Sequence, residues 1–118
     1  MFSIRIGRET VGWSELPTHD AETGVAWGVF KPGSAYELVR PTFRKFTNAL
    51  PETSSGTPNE RELASYYAER DTLGMSLHRQ DDTEIPISYI HLADFGDLED
   101  IEIEVAIADA EAWRLFIG

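Results

Sequence analysis

The sequence predicts one α+β domain over residues 1–118, a mainly antiparallel sheet of about five to six strands with two helices packed on one side. Three observations predict it. Apolar residues alternate singly towards both ends of the chain but recur every three or four residues in its middle. Hydrophobic residues make up 42% and charged residues 26%, the balance of a chain that buries a core. A length of 118 residues suits one domain and supplies enough apolar surface to fold without covalent staples.

The elements follow in order. In SIRIG, Ile4 and Ile6 alternate with Arg5 as in a half-buried strand, and VGWSEL (11–16) reads as a second strand beyond a turn at Gly7. LPTHDAETG (16–24) is loop by composition. GVAWGVF (24–30) is rich in Val and aromatic residues and stops at Lys31-Pro32-Gly33, a turn signal. Ser34 and Glu37 then make an S-x-x-E capping box. Tyr36, Val39, Phe43, Phe46 and Leu50 follow as one helical stripe. Pro41 lies inside that stripe without shifting its register, which predicts a helix over 35–50 kinked near Pro41.

PETSSGTP (51–58) is a loop, and Asn59 with Glu62 caps a second helix over 60–71 carrying Leu63, Tyr66, Tyr67 and Arg70. Beyond Gly74 the period falls to two. MSLHR (75–79) is a strand, RQDDTE a turn, and IPISYIHL (85–92) a strand apolar on both faces and so expected at the centre of the sheet. Pro86 belongs near its start. EDIEIEVAIA (99–108) buries Ile101, Ile103, Val105 and Ile107 and turns Asp100, Glu102 and Glu104 outward. Acidic residues are poor strand formers, so an edge strand guarded by charge is the ordinary account of them. DAEAWRLFIG (109–118) fits either a helix capped by Asp109 or a strand lined by Trp113, Leu115 and Ile117.

Composition narrows the functions. There is no cysteine, so disulfides, thiolate metal sites and cysteine nucleophiles are excluded. No apolar run approaches the roughly 18 residues of a membrane span, and MFSIRIGRET lacks the core of a signal peptide, so the expectation is a cytoplasmic protein without a membrane partner. The net charge is −11, and it is uneven. Residues 1–58 hold six Lys/Arg and six Asp/Glu, whereas residues 59–118 hold four Arg and fifteen Asp/Glu. Between Asp81 and Glu111 there are eleven acids and no Lys or Arg. Such a surface repels nucleic-acid phosphates and attracts a basic partner or a cation.

No motif names a reaction, and the reading leans away from an enzyme. Asp94-Phe95-Gly96 matches the kinase magnesium triplet, but no HRD loop, glycine-rich loop or strand lysine accompanies it. DFGDLED (94–100) concentrates acids without the EF-hand spacing, and His19-Asp20-x-Glu22 fits no helical two-histidine pattern, so neither metal nor cofactor is expected. Arg40, Arg44 and Lys45 flank Phe43 and Phe46 as an amphipathic helix requires, available to pair with the chain's own carboxylates. Trp13, Trp27 and Trp113, with Tyr36, Tyr66, Tyr67 and Tyr89, are many large rings for a small domain, most of them expected in the core and some suited to a pocket or contact surface.

The leading expectation is a small acidic interaction module of inhibitor, immunity or adaptor type. It would bind a basic protein through Asp94, Asp97, Glu99, Asp100, Glu102 and Glu104. The competing expectation is a small enzyme or ligand-binding domain whose pocket lies between sheet and helices near His91 and Asp94. Oligomeric state stays open.

Overall fold

The computed structural model describes residues 1–50, 56–96 and 100–118. Among the described residues there are eight strands and three α-helices: β1 (Phe2–Ile6), β2 (Glu9–Ser14), β3 (Thr18–Asp20), β4 (Val25–Pro32), α1 (Arg40–Ala49), α2 (Glu60–Thr72), β5 (Met75–His78), β6 (Glu84–Ile85), β7 (Ile87–Ala93), β8 (Ile101–Ile107) and α3 (Ala110–Ile117). A 3-10 turn over Ser34–Leu38 precedes α1. The strands run in the order β6-β5-β1-β2-β4-β8-β7, with β3 paired to β4, and every pairing is antiparallel. The two ends of this path approach each other at β5 and β7, so the sheet is nearly closed. The α+β class holds, with more strands and one more helix than expected.

Alternation along the strands builds the core. Ile101, Ile103, Val105 and Ile107 of β8 point inward with Ala26 and Phe30 of β4 and Ile90 and Leu92 of β7, all buried. Ile4, Val11, Leu77 and Ile85 close the other half. Burying each of the Val, Leu, Ile and Phe side chains stabilises the fold by about 1.5–3 kcal/mol relative to exposure. The acidic strand is therefore no edge: β8 lies between β4 and β7, and β7 ends the path. Its Ile/Val face packs well enough to hold a central place despite Glu at alternate positions.

Pro41 does not kink one helix. Its missing N–H suits the first turn of a helix, where no intrahelical acceptor exists, so α1 starts afresh there and the capping box at Ser34 makes no side-chain bond. The stripe survives the break, since Tyr36, Val39 and Phe43 are fully enclosed. Asn59 caps α2 by accepting from the Glu62 amide at 3.1 Å, and Asp109 caps α3 by accepting from the Ala112 amide at 2.8 Å, so Ala110–Ile117 is a helix and not a strand. Pro86 splits the expected 85–92 strand: Ile85 pairs with Leu77 of β5, while β7 joins β8.

The segment read as loop at 16–24 contains β3, reached through Leu16 at φ 45°, a left-handed conformation that its burial compensates. Gly28 lets this segment pass close beneath β4, because a Cβ there would lie 2.9 Å from both Ser14 Oγ and Pro17 Cδ. Among the described residues, no helix is long and apolar enough to cross a membrane.

Candidate functional site

The outward face of β4, β8 and β7 carries a groove of about 590 Å³. Register dictates its floor. Trp27, Glu104 and His91 form one cross-strand row, and Val29, Glu102 and Ala93 form the next. Pro17 and Thr18 supply one wall. Beyond His91 stand Phe46 of α1, edge-on at 4.4 Å, and Tyr66 of α2. Trp27 is 36% exposed and Val29 47%, unusual exposure for such large apolar groups side by side.

Glu104 is fixed without being neutralised. Its Oε2 accepts from the Tyr89 hydroxyl at 2.6 Å, and its Oε1 accepts from the Trp27 indole Nε1 at 3.3 Å. Partial burial, then the bond to Glu104, pushes the Tyr89 hydroxyl up to about 12, so it stays a donor. Behind Tyr89, the Arg70 guanidinium lies 4.8 Å from that ring and 5.0 Å from Tyr67, and it pairs with Asp71.

His91 is held by Tyr66, whose hydroxyl is 2.5 Å from Nδ1. Burial lowers its pKa, Glu104 opposing, so the ring is neutral at pH 7. The groove's formal charge is then that of Glu102 and Glu104, and no Lys or Arg is among its lining residues.

The four described carboxylates among those expected to meet a partner, Asp94, Asp100, Glu102 and Glu104, line two different hollows. Asp94 is 4% exposed and faces the chain's own groups. Tyr36 Oη donates to its Oδ2 at 2.7 Å, the Gly96 amide donates to Oδ1 at 3.0 Å, and Arg40 and Arg44 stand at 3.8 and 3.7 Å. The DFG triplet is thus a turn closed by its own aspartate. Asp100 is exposed beside a smaller hollow of about 210 Å³ shared with Arg40 and Asp94. Glu102 and Glu104 line the larger groove. Asp97 and Glu99 lie outside the described residues. His91 and Asp94 line different hollows.

The first-half cations are largely engaged with second-half acids: Arg5 with Asp82, Arg40 and Arg44 with Asp94, and Lys45 with Glu69. His19 packs edge-on against Trp113 and Phe116. Among the described residues, no group of three or more His, Asp or Glu is placed to hold a metal ion. Trp27 in the groove and Tyr89 beside it were legible from composition only as large rings; their link to Glu104 arises from strand register. The chain has no significant match to any family model, curated protein or solved structure.

Proposed function

We propose that this chain is a protein-interaction module that binds a basic partner through the outward face of β4, β8 and β7, as an inhibitor, immunity-type factor or adaptor does. The observation that carries the reading is the pairing of exposed Trp27 and Val29 with Glu102 and Glu104 in a groove without lining cations. Apolar area supplies affinity and the carboxylates steer a positive surface towards it. Asp100, the residue before β8, adds to the negative field, while Asp94 is occupied by Arg40 and Arg44.

The test uses a synthetic peptide of alternating Lys and Gly, with alternating Glu and Gly as control, titrated into the full chain at low and high salt. The basic peptide binds at low salt and weakens as salt screens the field. The double variant Asp100→Lys/Glu102→Lys, which leaves the bonds of Glu104 intact, weakens binding and flattens the salt dependence. Equal binding of both peptides, or no change in the double variant, removes this face as the site.

A further inference from the structure

We propose that the groove receives an arginine side chain of the basic partner, its guanidinium stacked on the Trp27 ring between Glu102 and Glu104. This rests on the reading of a basic partner and specifies the group that enters.

The chain builds this kind of contact for its own arginines. Where β7 ends, the Tyr36 hydroxyl donates to Asp94 while Arg40 lies over the Tyr36 ring at 5.2 Å and stands 3.8 Å from the same carboxylate. At Tyr89 the hydroxyl donates to Glu104 while Arg70 lies over the ring at 4.8 Å. In each case the polar tip of a ring donates to a carboxylate and an arginine covers the ring. Trp27 repeats the first half of the pattern, because its indole N–H donates to Glu104 Oε1. Its ring is exposed, and Glu102 makes no ion pair or side-chain hydrogen bond among the described residues.

Guanidinium fits this place better than ammonium. It is planar and weakly hydrated, so it stacks on an indole, and its in-plane N–H donors point to opposite edges. Glu102 and Glu104 are alternate residues of one strand, about 7 Å apart along it, so one flat cation between them meets a carboxylate on each edge. Val29 and Pro17 offer apolar surface to the methylene stem.

The experiment is a nitrogen-15 NMR titration of the full chain with short peptides of alternating Gly and Arg, Lys or citrulline, following the Trp27 indole N–H and, in every variant, the backbone amides of the groove residues Val29, Glu102 and Glu104. The arginine peptide shifts that signal saturably, the lysine peptide binds about two- to fivefold more weakly, and the neutral citrulline peptide does not bind. Trp27→Leu brings arginine affinity down to the lysine level, whereas Trp27→Phe, which keeps a ring, retains the preference. Equal affinity for arginine and lysine peptides that Trp27→Leu leaves unchanged overturns the arginine site. If both peptides still weaken in Glu102→Gln, the basic-partner reading survives that result. Failure of every basic peptide at low salt overturns both.

Discussion

Asp94, fixed by Tyr36 of the 3-10 turn, and Glu104, fixed by Tyr89 and Trp27 of the sheet, are both held by aromatic donors, yet their charges meet different fates. Asp94 sits where β7 ends, buried, with two arginines of α1 beside it. Glu104 sits in mid-strand, and its two donors, Tyr89 and Trp27, are neutral. The first arrangement ties α1 and the 3-10 turn to the sheet. The second holds a carboxylate in place while leaving its field directed outward. Acidity alone therefore does not mark a binding surface; what decides is whether the chain supplies its own counter-charge.

One change made at both places separates them. Asp94→Asn lowers unfolding free energy by about 2 kcal/mol, discounted from the usual buried-pair loss because Arg40 and Arg44 are half-exposed. Glu104→Gln lowers it by less than about 1 kcal/mol, since an amide oxygen still accepts from one of the two donors. Urea unfolding of both variants decides the matter, and equal losses would erase the distinction. The smallest effect concerns pH. His91 has a folded pKa below its unfolded value, so the unfolded chain takes up its proton first as pH falls. Stability is complete above the unfolded pKa near 6.5 and declines below it, by at most about 1.4 kcal/mol per unit. His91→Gln removes that slope between neutrality and mild acid, and an unchanged slope would place its origin in other groups.

Much of the fold was legible where one local signal spoke without rival. Asn59 with Glu62 placed α2, and the Ile/Glu alternation of residues 101–107 placed β8 and its buried face. Pro41 was ambiguous because a missing N–H is compatible with a kink or a fresh start, and the stripe stays in register under both. β3 escaped notice because Thr18, His19 and Asp20 have no apolar alternation and owe their strand to β4. The groove was the least legible feature. Trp27 and Glu104 stand 77 residues apart in sequence and meet only through the β4–β8 register, which no local pattern encodes.

That register has a consequence for how the chain reaches its fold. β8 pairs locally with β7, its predecessor in the chain, but must also dock on β4, joining residues as distant as Ala26 and Val105. Pairings of that span are slow to form, so the middle of the sheet waits on a late event. A slip by one residue at that moment would drive Glu102 and Glu104 into the interior and expose Ile101, Ile103 and Val105. Burying unpaired carboxylates costs several kcal/mol each, so the slipped register is strongly disfavoured against the native one. The glutamates that face the groove thus also penalise that slip, and alanine at both positions removes the penalty.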